Sequence, residues 1–79
     1  MSLTLTEDER EALEVRIIRL MGAADRALEN NNDRKAERLT DKADALSMAL
    51  AALDDESADA TDLACIEDGL RREREYGNL

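Results

Sequence analysis

Apolar residues return along this chain at alternating spacings of three and four, the repeat of a helix with one buried side. The first run is Leu13, Ile17, Leu20, Ala24 and Ala27, with Met21 and Leu28 widening the stripe. Thr6 followed by Glu9 has the pattern of a capping box, in which each side chain accepts a hydrogen bond from an amide that the helix start leaves unpaired. Asn30, Asn31 and Asn32 then interrupt the pattern. Asparagine tolerates left-handed backbone and caps helices, so the chain turns there. The second run, Ala36, Leu39, Ala43, Leu46, Leu50 and Leu53, is a heptad seam of alanine and leucine, too short for a solitary coiled coil and suited to packing within a bundle. A short turn between two long helices predicts an antiparallel hairpin.

Leu63, Ile66 and Leu70 fall out of phase with that seam at about 100° per residue, so the chain bends between Asp54 and Asp59. Ser57, Asp59 and Thr61 are all competent caps for a third helix, which Glu67 with Arg71 and Asp68 with Arg72 support at the favourable four-residue spacing. Gly69 weakens this helix and Gly77 ends it. The pattern therefore predicts helices over about residues 7–29, 33–53 and 58–75 in a single domain spanning residues 1–79. The fold class is all-α: a long antiparallel helical hairpin with a shorter third helix.

Composition adds association to this picture. The chain has 79 residues, one aromatic (Tyr76), no proline and one cysteine. A chain of this length buries only about 60% of the surface that its unfolded form exposes, so packing as a dimer or higher oligomer is expected. Cys65 cannot form a bridge within the chain, the first ten residues lack the basic start and apolar run of a secretory leader, and no apolar stretch reaches membrane length. These features predict a cytoplasmic protein without membrane contact. Arginine outnumbers lysine nine to two, in keeping with a GC-rich bacterial or phage genome.

The net charge of −9 is concentrated. From Ala43 to Leu70 the chain carries Asp44, Asp54, Asp55, Glu56, Asp59, Asp62, Glu67 and Asp68 and no base. A local field of this sign steers a basic partner and argues against direct nucleic-acid binding, which the mixed cluster of Arg71, Arg72 and Arg74 is too small to reverse.

The acidic stretch does not make a calcium loop. Counting from Asp55 puts Ala60 where the loop needs glycine and Ile66 where it needs glutamate; counting from Glu56 puts Ala58 at a ligand position. Without histidine and with one cysteine, zinc chemistry lacks its donors, and no base stands beside a nucleophile to suggest catalysis. No metal, no cofactor and no enzymatic activity are expected. Cys65 reads as a small, partly buried apolar residue.

Three aliphatics lie off the seams. Val15 and Ile18 project among Glu11, Glu14 and Glu29, and Met48 stands off the second seam; they contact either the third helix or a second copy of the chain. Arg34, Lys35, Arg38 and Lys42 form a basic stripe on the second helix beside Asp33, Glu37, Asp41 and Asp44; this is either a solvated mixed-charge helix or a surface that an antiparallel dimer would set against the acidic Asp54 to Asp68 block of its mate.

The expected function is a small, non-enzymatic protein-interaction module occupying a basic surface on another protein. Asp54, Asp55, Glu56, Asp59, Asp62, Glu67 and Asp68 supply the field, and Val15, Ile18 and Met48 are the apolar anchors. In its sharper form it is an inhibitor that places carboxylates where a nucleic-acid-binding protein expects phosphates, as phage anti-defence proteins do. The alternatives are a self-assembling structural subunit whose charge blocks pair between copies, and an oligomer with a small-ligand pocket at its interface.

Overall fold

Each helix starts and stops where nearby groups take up the hydrogen bonds that a helix end leaves open. The computed structural model describes residues 4–77, and among them lie three α-helices and no strand: α1 (Glu7–Glu29), α2 (Asp33–Asp54) and α3 (Ala60–Gly77). The Thr6 hydroxyl accepts from the Glu9 amide and the Glu9 carboxylate from the Thr6 amide, both at 3.1 Å, which completes the capping box at the start of α1. Asn32 caps α2 by accepting from the Lys35 amide.

α1 and α2 end in the same way. The Asn32 amide donates to the Ala27 carbonyl at 2.7 Å and the Asn31 amide to that of Leu28 at 3.0 Å, around a left-handed Asn31 with φ 59°. At the end of α2 the Ser57 amide donates to the Ala52 carbonyl at 2.8 Å and the Glu56 amide to that of Leu53 at 3.2 Å, around Glu56 with φ 58°. This is the Schellman closure, built on non-glycine residues in both places. Because Ser57 is used in closing α2, the cap of α3 falls to Asp59: its carboxylate accepts from the Asp62 amide at 2.9 Å, and the Asp62 carboxylate accepts in return from the Asp59 amide at 3.2 Å. Hence α3 begins at Ala60 rather than near residue 58, and it runs through Gly77.

The core gathers at the end of the molecule where α3 lies. Leu13, Leu46, Ala49, Leu50, Ile66 and Leu70 form one buried cluster, with Leu5, Ala12, Ile17, Leu53 and Cys65 packed around it. Leu13 and Ile66 are fully buried; truncating a side chain of this kind to alanine costs about 2–5 kcal/mol, a large share of a small domain's stability. Toward the asparagine turn the contact between α1 and α2 narrows to Ala24, Ala27, Ala36 and Ala43, all buried. Alanine there lets the two backbones approach closely.

Three sequence expectations change. Met21 and Leu28 do not widen the buried stripe of α1 and are more than half exposed. α3 packs on the opposite flank, near Ala12 and Leu13, and leaves their side uncovered. Ala49, off the heptad seam, is fully buried because the seam serves α1 while Ala49 belongs to the cluster that receives α3. Gly69 marks a close approach: a Cβ there would stand 2.9 Å from Leu13 Cδ2 and 3.4 Å from both Leu46 methyls.

The described residues span 42 × 28 × 15 Å, and none of the helices is long and apolar enough to cross a membrane.

Candidate functional site

The acidic stretch divides by the work its carboxylates do. Asp54, the last residue of α2, makes a bidentate pair with Arg10 of α1: Arg10 Nη1 donates to Asp54 Oδ2 at 3.0 Å, and Nη2 donates to Oδ1. These hydrogen bonds, with the guanidinium charge behind them, hold the Asp54 carboxyl below the usual aspartate range. Asp59 and Asp62 cap α3. Asp68 accepts from Arg71 at 2.7 Å and from Arg72 at 3.0 Å. Burial pushes its carboxyl upward, but the two arginines together outweigh this and leave it lowered. The expected partner of Arg71 was Glu67; Asp68 reaches it instead, one turn away at three residues' spacing.

Among the described residues, Asp55, Glu56 and Glu67 enter no ion pair. Asp55 and Glu56 are exposed at the corner between α2 and α3. Asp55 extends the acids that stand beside the basic stripe of α2: Glu37, Asp41, Asp44 and Met48 follow one another at spacings of four, three and four, so they share its outer face, and Asp55 continues that face two turns on. All are exposed, none of the acids pairs with a base, and Met48 at 71% exposure stands in their midst. α1 carries a parallel ridge of Glu11, Glu14, Ile18 and Asp25, in which Ile18 is 69% exposed and neighbouring Val15 is half-buried. Ile18 borders a groove with Arg19, Gly22 and Tyr76, whereas Met48 stands among the acids of α2, so the two exposed aliphatics lie on different helices in different surroundings.

Arg16 and Arg19 lie on the side of α1 that faces α3. Arg19 donates to both carboxylate oxygens of Glu73 at 3.0 and 3.1 Å, with Arg16 at 3.9 Å, and its guanidinium lies 4.1 Å from the centre of the Tyr76 ring. Glu73, whose side chain is 9% exposed, thereby ties α3 to α1. Sequence reasoning missed this because the partners lie more than fifty residues apart. The available signal was an acid at a position that shares the inward face of α3 with Ile66 and Leu70.

Cys65 is half-buried beside the core. Burial, followed by the charges of Asp68 and Asp62, pushes its thiol up and keeps it protonated and poorly nucleophilic at neutral pH. No group of three or more metal-ligating side chains converges among the described residues. Comparison with protein-family models, with curated proteins and with solved structures returns no match.

Proposed function

We propose that this chain is a small acidic, non-enzymatic interaction module of the cytoplasm, built on an antiparallel helical hairpin, that docks the outer face of α2 on a basic surface of another protein. The observation that carries this reading is the division of the carboxylates. Asp54, Asp59, Asp62 and Asp68 are engaged within the fold, whereas Glu37, Asp41, Asp44 and Asp55 are exposed along one ridge, with Glu56 exposed at the corner beside it, and none of these five enters an ion pair among the described residues. A carboxylate already neutralised by a contacting guanidinium projects little field; an unpaired row projects it outward and accelerates encounter with a cationic surface. Met48, flexible and polarizable, supplies an adaptable apolar contact in the middle of the row. Evenly spaced carboxylates on a rigid helix also suit a protein surface that normally meets phosphates, so an inhibitor of a nucleic-acid-binding protein is the sharpest form of the proposal.

The test is an affinity capture from cell lysate at low and moderate salt, comparing the natural chain with a folded variant carrying Glu37→Gln, Asp41→Asn and Asp44→Asn. A basic protein retained by the natural chain, released as salt rises and lost with the variant supports the reading. Identical captures from both chains overturn it and shift attention to the ridge around Ile18.

A further inference from the structure

α3 covers the end of the α1–α2 face near its own start and leaves the asparagine-turn end open. Beyond Tyr76, two adjoining grooves of about 600 and 290 Å³ run between α1 and α2, floored by Leu20, Ala23, Ala27 and Leu39. Their rims are basic. Arg26 borders both grooves and Lys35 the second, and Arg16 and Arg19, held by Glu73, border the first. Arg26 and Lys35 make no ion pair among the described residues, on a chain whose net charge is −9.

The chain itself carries a surface that complements this one. The outer face of α3 begins with Ala60, Ala64 and Glu67, all exposed and spaced by four and three, and no base occurs on that helix before Arg71. Small residues permit close approach to an apolar floor, and Glu67, which enters no ion pair among the described residues, with Asp59 two turns before it in the cap, meets the unpaired Arg26 and Lys35.

We infer that the open turn end of the α1–α2 face is covered by the N-terminal half of α3 from a second copy, in a dimer with a two-fold axis. α3 starts at the end of the molecule remote from the asparagine turn, so two copies related by a two-fold and facing each other through their α3 sides bring each α3 start over the partner's open groove. The contact is isologous and therefore closes at two copies. Each basic rim meets an acidic helix start, and the outer ridge of α2 stays free on both copies, so the inference stands or falls independently of the proposed partner.

Sedimentation equilibrium tests it with two variants of exposed residues. Arg26→Glu with Lys35→Glu reverses the rim; Ala64→Arg with Glu67→Arg reverses the helix start. At about 50 mM salt the natural chain should be dimeric, and about 500 mM salt should weaken it. Each variant alone should dissociate at least about tenfold more readily while keeping its helical circular dichroism. Mixed in equal amounts, the two should recover the dimer, because a mixed pair matches an acidic rim with a basic helix start on one side and retains the natural contact on the other. The milder pair Arg26→Gln and Lys35→Gln should weaken the dimer in the same direction. A natural chain that stays monomeric, a dimer that survives both reversals, or a mixture that fails to recover overturns the inference.

Discussion

Gly22 and Gly69 both sit inside helices, yet alanine should act on them with opposite sign. At Gly22 an added Cβ meets nothing within 4 Å. Gly22→Ala should therefore raise stability by about 0.5–1 kcal/mol through helix propensity and the lower entropy of the unfolded chain. At Gly69 the same Cβ presses on the fully buried Leu13, which has no room to retreat. Gly69→Ala should lower stability by about 1 kcal/mol or more despite the propensity gain. Urea midpoints of the two variants check the pair. Glu56 presents a third case: its left-handed backbone at φ 58° closes α2, and an L side chain in that conformation costs about 1 kcal/mol or more. Glu56→Gly should recover about 1 kcal/mol, read in the same urea series, since glycine is the preferred residue at this position of a Schellman closure. From sequence, Gly69 reads as a defect in α3; its purpose depends on which residues oppose it across the helix interface, and spacing along one helix does not contain that.

α1 and α2 were legible almost to the residue because each carries its own cap and its own apolar period: Thr6 with Glu9, and the run from Ala36 to Leu53. The existence of α3 and its bend were legible from the phase break. Its seat was not, because that depends on partners remote in sequence, chiefly Glu73 with Arg19 and Arg16. Glu73→Ala should cost about 1–2 kcal/mol, since it removes charge-assisted hydrogen bonds and leaves Arg16, largely covered, without its acid. Thermal unfolding of the variant, with α3 followed through the fluorescence of Tyr76, measures it. The Arg10–Asp54 pair clamps the start of α1 to the end of α2 and makes a pH prediction. The folded-state value of Asp54 lies below its unfolded value, so the pair's contribution is complete above the ordinary aspartate value of about 4 and disappears as pH falls through the lower folded value. The urea midpoints of the natural chain and of Asp54→Asn should differ at neutral pH and converge in acid. A gap that persists unchanged to low pH would remove the pair from the account.

Across the whole molecule, charge is sorted by place. Acids line the outer faces of α1 and α2, Arg16, Arg19, Arg26 and Lys35 border the side where α3 packs or the grooves beyond it, and the carboxylates of the bend are divided between capping, pairing and exposure. The sequence located the excess of acid but centred it on Asp54 to Asp68, where much of it serves the fold. The row on α2 was legible as Glu37, Asp41 and Asp44 beside the basic stripe of Lys35, Arg38 and Lys42; its lack of ion pairs was not, because pairing depends on side-chain positions that spacing along a helix does not give.

Docking through the outer face of α2 requires that this row carry no structural duty. Urea unfolding of the variant carrying Glu37→Gln, Asp41→Asn and Asp44→Asn measures whether it does. Relief of repulsion among unpaired carboxylates should leave the midpoint unchanged or raise it. A clear fall would mean that these carboxylates hold the fold together, and would contradict the account.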